Sequence, residues 1–105
     1  MNLQYLLLKW ENDLVYKVEY ANSALKDLKK LPGDTNKDIV DSVDKNLAFK
    51  LGIDKELSGK KYKGLFWFRV NDYRVIYEMN HNNEVIILLI IAHRKEVYKI
   101  IDKRV

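Results

Sequence analysis

Residues Phe66 to Tyr77 read FWFRVNDYRVIY, two runs of aromatic and β-branched residues separated by Asn71-Asp72. Such runs form strands, and Asn-Asp is suited to a two-residue hairpin turn. A turn of that length fixes the register. Val70 faces Tyr73, Arg69 faces Arg74, Phe68 faces Val75, Trp67 faces Ile76, Phe66 faces Tyr77 and Leu65 faces Glu78. Because strand side chains alternate, Phe66, Phe68, Val70, Tyr73, Val75 and Tyr77 share one apolar face. The opposite face carries Lys61, Lys63, Leu65, Trp67, Arg69, Arg74, Ile76 and Glu78.

Downstream, the Asn80-His81-Asn82-Asn83 cluster is a second turn, leading into a strand from Glu84 to His93. Its core, Val85 to Ala92, is apolar without alternation, as expected of a central strand covered on both faces. Arg94 to Asp102 forms a final helical piece. Upstream, Asp54 to Lys61 reads as a loop and Tyr62 to Val70 as the first hairpin strand. Further upstream, Ala24, Leu25, Leu28 and Leu31 recur at helical spacing, with Lys26, Asp27, Lys29 and Lys30 off that stripe. Pro32-Gly33 ends this helix. Asp34 or Thr35 caps a second helix, with the stripe Ile39, Val40, Val43, Leu47 and Leu51 and a stop at Gly52. Val15 to Tyr20 is another strand. The order β-α-α-β-β-β-α predicts an α+β domain, two N-terminal helices packed on one face of a mainly antiparallel four-stranded sheet.

At 105 residues the chain has the length of one domain, residues 1–105. Residues 1–14 read as an N-terminal extension and 15–102 as the core. Apolar residues at 48% and charged residues at 32% give a globular rather than a disordered balance. The absence of cysteine excludes disulfides, thiolate metal ligands and a cysteine nucleophile. The longest apolar run has eight residues, too few to span a bilayer, and no signal peptide is evident, so the expectation is a cytoplasmic protein without a membrane partner. Net charge is uneven. Residues 1–59 hold 9 basic and 10 acidic side chains, a net of −1, whereas residues 60–105 hold 10 and 5, a net of +5. A basic C-terminal half favours a phosphate-bearing partner over simple solubility only when a specific site accompanies it.

Such a site is suggested by the hairpin. Two arginines directly opposite, Arg69 and Arg74, repel unless an anion or a carboxylate such as Glu78 sits near. Trp67 on the same face is available to stack on a base. Arg94 and Tyr98 are four residues apart, on one side of a helical turn, with His93, Lys95 and Lys99 close in sequence. Imidazole serves as acid or base near neutral pH, which makes His93 a candidate, whereas His81 reads as a turn residue. Metal and nucleotide motifs are missing, so no cofactor is expected.

These residues resemble the RelE/ParE superfamily of toxins, most closely the RelE-like mRNA endonucleases. The resemblance rests on Ala24 to Pro32 (ALKDLKKLP), Leu57-Ser-Gly59 before a basic strand, Asp72 to Tyr77 (DYRVIY) and His93 to Tyr98 (HRKEVY). It implies a toxin of a type II toxin–antitoxin system that cleaves ribosome-bound mRNA without a metal. The 2′-hydroxyl would attack the adjacent phosphate, and the partners would be the ribosome, mRNA and a RelB-like antitoxin. It also implies roles for Arg74, Arg94, Tyr98 and His93 in catalysis and for Lys61, Lys63, Trp67, Arg69 and Lys95 in holding RNA. One departure stands out: where RelE has two functional lysines, this chain has Leu65 and Trp67. Lys61 and Lys63 are the substitutes, and Glu56 and His93 the other candidate bases. The alternatives are a ParE-like inhibitor of DNA gyrase, or an inactive family member, neither of which cuts RNA.

Overall fold

Strands β3 (Phe66–Val70) and β4 (Tyr73–Asn80) pair across Asn71-Asp72 with all five residue pairs from Phe66↔Tyr77 to Val70↔Tyr73 in the expected register. Asn71 has φ 53°, the left-handed conformation that asparagine tolerates in such turns. The computed structural model describes residues 17–46, 55–80 and 82–104, so the expectations for residues 1–14, for Leu47, Leu51 and Gly52 and for His81 lie outside the described residues.

The remaining elements are β1 (Lys17–Tyr20), α1 (Asn22–Lys29), α2 (Gly33–Asn46), β2 (Lys55–Glu56), β5 (Val85–His93) and α3 (Val97–Arg104). The sheet order is β1-β5-β4-β3-β2, with β1 parallel to β5 and the other pairs antiparallel. The α+β class and the four expected strands are present. Two-residue β2 lies where a loop was expected; the Leu57 N–H donates to the Leu65 carbonyl at 2.9 Å, bringing this segment onto the edge of β3. Among the described residues, no helix is long and apolar enough to cross a membrane.

Helices α1 and α2 cover one face. Ala24, Leu28, Ile39 and Val43 pack there with Phe68, Val70, Val75, Tyr77, Ile86, Leu88 and Ile91. The expected charged face is only partly charged. Leu57, Leu65, Ile76, Ile90, Ala92, Val97 and Ile101 form a second core beneath α3, which packs on the side opposite to α1 and α2. Strand β5 contributes to both cores, as its unbroken apolar run predicts.

A bulge in β5 decides which of its side chains face each core. Ile76 pairs with Ile90 but Tyr77 pairs with Leu88, leaving Leu89 as an extra residue. Ser23, in the first turn of α1, donates its hydroxyl to the Leu89 carbonyl at 2.9 Å, tying the helix to the bulge. Beyond the bulge the alternation is inverted, so Ile91 faces α1 while Ile90 and Ala92 face α3.

Several boundaries differ from the sequence expectation. Leu25 is 40% exposed, whereas Asp27, expected on the solvent side, is 7% exposed. The cause is that β1 pairs with β5 only to Leu88, leaving the Ile91 N–H beyond it; Asp27 Oδ2 accepts that N–H at 3.0 Å. Arg104 at the end of α3 completes the arrangement with 2.9 and 3.0 Å bonds to both Asp27 oxygens. Helix α2 begins at Gly33, since the Pro32 carbonyl accepts the Asn36 N–H at 2.9 Å, so Asp34 and Thr35 sit inside its first turn rather than capping it. Tyr62 is not in a strand: Lys60–Tyr62 is a 3₁₀ turn, entered through Gly59 at φ 102° and followed by Gly64 at φ 83°. Lys61 and Lys63 therefore do not lie on the hairpin face. Finally, Arg94 belongs to a turn, closed by a 2.9 Å bond from the Glu96 N–H to the His93 carbonyl, and α3 starts only at Val97.

Candidate functional site

On the α3 side of the sheet, Leu57, Trp67, Arg74, Ile76, Arg94, Val97 and Tyr98 line a pocket of about 190 Å³. Trp67 and Ile76 are cross-strand partners on β3 and β4, and Arg74 lies two residues along β4 on the same face. Their placement follows from the hairpin register. Arg94 enters from the turn after β5, its N–H bonded to the Asp72 carbonyl at 2.7 Å and its Nε 3.8 Å from Asp72 Oδ1. Tyr98 comes from the first turn of α3 and is 53% exposed.

Arg74 is the most constrained of these groups. Its guanidinium carbon lies 4.9 Å from the Trp67 ring centroid, a cation–π arrangement. Its Nη1 is buried without a hydrogen-bond partner. A buried donor left unpaired costs about 1–3 kcal/mol, more for a charged group, so Arg74 gains from any acceptor its guanidinium can reach. Arg69, directly opposite, turns the other way and donates its Nε–H to the Asn71 carbonyl at 3.1 Å. Among the described residues, neither Glu78 nor any other carboxylate lines the pocket.

A second layer holds Tyr98. Its ring meets Tyr62 edge-on at 5.9 Å, and the Tyr62 hydroxyl donates to Asp102 Oδ1 at 2.7 Å. Lys61 Nζ lies 2.9 Å from the same oxygen and 5.1 Å from the Tyr62 ring. Bonds from Tyr62 and Lys61 hold the Asp102 carboxyl below its ordinary pKa, and the bond to Asp102 raises both partners. Lys61 is thus occupied in fastening α3 to the 3₁₀ turn.

Arg74, Arg94, Tyr98 and Trp67 are brought together; the other expected residues are not. His93 pairs with Tyr73 across β5 and β4, packs against that ring at 5.6 Å, and accepts the Lys95 N–H on Nδ1 at 3.2 Å. Tyr73 belongs to the α1/α2 side of the sheet, so His93 is on the face away from Arg74. Glu56 pairs with Phe66 and shares that same side. Lys63, Arg69 and Lys95 are exposed and lie outside the pocket lining. Leu57 and Val97 stood in the sequence only as parts of family motifs and Tyr62 only as a strand residue; their apolar character was the available signal for a site, and it reads equally well as ordinary core. A larger cleft of about 640 Å³ lies between α2 and β3, where Asp38 and Asp41 offset Lys45 and Arg69, so it lacks the net positive lining that Arg74 and Arg94 give the smaller pocket.

The family model for the ParE toxin of the type II toxin–antitoxin system parDE matches residues 18–98. The chain belongs to the ParE toxin family. The ParE-family chain is also similar to solved RelE structures, and it is a type II toxin–antitoxin toxin of the RelE/ParE superfamily. The toxin–antitoxin complex RelBE2 of Mycobacterium tuberculosis is matched at 28% identity over 75% of this chain and 98% of that chain, with a TM-score of 0.69. The archaeal RelE–RelB complex of Pyrococcus horikoshii is matched at 26% identity over 76% and 96%, with a TM-score of 0.57. A free Escherichia coli RelE variant, at 16% identity over 87% and 98% and a TM-score of 0.64, shares the fold. No curated protein matches the sequence.

Proposed function

We propose that the pocket binds the scissile phosphodiester of ribosome-bound mRNA and that this ParE-family toxin is an endoribonuclease. The observation that carries this reading is the buried, unpartnered Nη1 of Arg74 beside Arg94 and Tyr98. Guanidinium stays charged and presents a fork of donors suited to phosphate oxygens. In the reaction the 2′-oxygen bonds to phosphorus, the bond to the 5′-oxygen breaks, and a 2′,3′-cyclic phosphate remains. Arg74 and Arg94 stabilise the charge that develops on the non-bridging oxygens. Tyr98 orients the sugar or supplies a hydrogen bond to the departing 5′-oxygen. In this reading solvent takes the 2′-hydroxyl proton and returns one to the 5′-oxygen, while Arg74, Arg94 and Tyr98 hold the phosphate between them.

The rival reading, a gyrase-directed inhibitor without nuclease activity, is favoured by the ParE family match and by a pocket lining without a proton-accepting side chain among the described residues. Cell-free translation and gyrase supercoiling, each titrated with purified toxin, separate the two. The nuclease reading expects translation to stop at toxin concentrations that leave supercoiling intact; the reverse pattern establishes the rival. The M. tuberculosis and P. horikoshii toxins are seen in complexes with RelB-type partners, and by similarity a RelB-like antitoxin is the expected partner here.

A further inference from the structure

Stacking against a nucleobase is the role its sequence position suggests for Trp67, yet the arrangement of the hairpin face gives it another. Arg69 and Arg74 are cross-strand neighbours, so their guanidiniums start with a repulsion to resolve. Arg69 resolves its part by bonding the Asn71 carbonyl at the turn. Arg74 goes the opposite way along the sheet, onto the ring of its diagonal neighbour Trp67 at 4.9 Å. That contact uses one face of the indole, in a side chain that lines the pocket and whose Nη1 is buried without a partner.

We propose that Trp67 is a positioning residue: it holds the Arg74 guanidinium on its π-face and thereby orders the anion-binding group in advance, instead of stacking on a base itself. The inference rests on the anion-binding reading of the pocket. A flexible arginine on an open strand samples many rotamers, and fixing it before the ligand arrives removes that cost from binding. Indole provides the strongest π-face among the aromatic side chains, and Ile76, 1% exposed beside it, supports the platform from below. A lysine at the same position would repel Arg74 rather than hold it. In this chain one of the two arginines of the anion site, Arg74, is therefore ordered in advance.

The test titrates the folded protein with two probes, inorganic pyrophosphate, which has no base, and a 2′-O-methylated dinucleotide, which has bases but is not cleaved. Trp67→Ala and Trp67→Leu are expected to weaken both probes by the same factor, roughly two- to thirtyfold, the range of one cation–π contact. Trp67→Phe should retain most of the affinity. In an Arg74→Ala background the Trp67 substitutions should change nothing further, since the residue acts through Arg74. Leucine keeps an apolar side chain of useful size without a π-face, so it serves if alanine fails to fold, and a thermal melt checks each variant. A loss confined to the dinucleotide, or one that persists in the Arg74→Ala background, overturns the proposal in favour of direct base stacking. If Arg74→Ala weakens pyrophosphate but the Trp67 variants do not, the positioning role falls and the anion site stands. If Arg74→Ala leaves pyrophosphate binding intact, the anion site falls, and this inference with it.

Discussion

Two guanidiniums on opposed residues of an antiparallel pair repel by construction, and Arg69 and Arg74 diverge to opposite ends of their hairpin. Loss of one charge-stabilising donor typically lowers a rate by a hundredfold or more. Arg74→Ala and Arg94→Ala are therefore each expected to cut mRNA cleavage by about a hundredfold. His93→Gln should stay within about tenfold of the parent, because a general base contributes roughly a hundredfold or more and His93 faces the other way. Single-turnover cleavage of ribosome-bound mRNA measures all three, and a hundredfold loss in the histidine variant returns it to the chemistry. Hairpin register and the four-residue spacing put Arg74, Arg94 and Tyr98 within reach of one another in the sequence. The face on which His93 lies was not legible, for a physical reason. Unbroken alternation from Val85 would place residue 93 on the Arg74 face, and the extra residue Leu89 inverts it. Within a run where every side chain is apolar, no pattern marks such a bulge.

Tyr20 supports a second residue-scale prediction. Burial, then the negative charge of Asp44, pushes its hydroxyl up to about 12 from the ordinary 10.0. The folded chain keeps a proton that the unfolded chain releases from pH 10 upward, so the associated stability is intact below pH 10 and is lost as pH rises toward 12. Tyr20→Phe should remove this component: the urea midpoint of the variant should fall less between pH 8 and 11 than that of the parent. Equal falls in the two proteins would show that the hydroxyl does not contribute.

At the scale of elements, α3 is fastened at two points. Asp102 meets Tyr62 and Lys61, and Arg104 reaches past the end of β1 to the buried Asp27. This second clasp joins helices on opposite sides of the sheet. Removing Asp27 leaves the Ile91 N–H and Arg104 without their acceptor, which should destabilise the fold by about 2–4 kcal/mol. Chemical denaturation of Asp27→Ala, Arg104→Ala and the double variant checks this; the double variant should be less destabilised than the sum of the singles. Strictly additive losses would contradict a direct clasp. Four of the five strands, the hairpin register and the existence of three helices were readable from periodicity and turn residues, whereas two-residue β2 is too short to show a pattern. The clasp was not: a lone aspartate among lysines has the pattern of a solvent-facing helix position. Its burial depends on where β1 stops along β5, a fact of tertiary pairing.

For the molecule as a whole, the +5 net charge of residues 60–105 complements both RNA and an acidic partner segment. Co-expression with the product of a neighbouring gene, carrying such a segment, should relieve growth arrest caused by the toxin. Arrest that persists alongside a stable, co-purifying neighbour would remove the antitoxin reading. The fold and the family were legible because hairpin, helix end and C-terminal motif occur in the right order. The second core beneath α3 was not, since Leu57, Leu65, Ile76 and Ile101 come from four separate segments. Endonuclease action is tested most directly by mapping the ends of mRNA from a programmed ribosome complex incubated with the purified toxin. Cuts are expected within the ribosome-bound codon, with 2′,3′-cyclic phosphate termini, and Arg74→Ala should slow their appearance by about a hundredfold. Intact mRNA at concentrations that arrest growth, or equal cutting by the Arg74→Ala variant, would contradict a nuclease centred on that arginine.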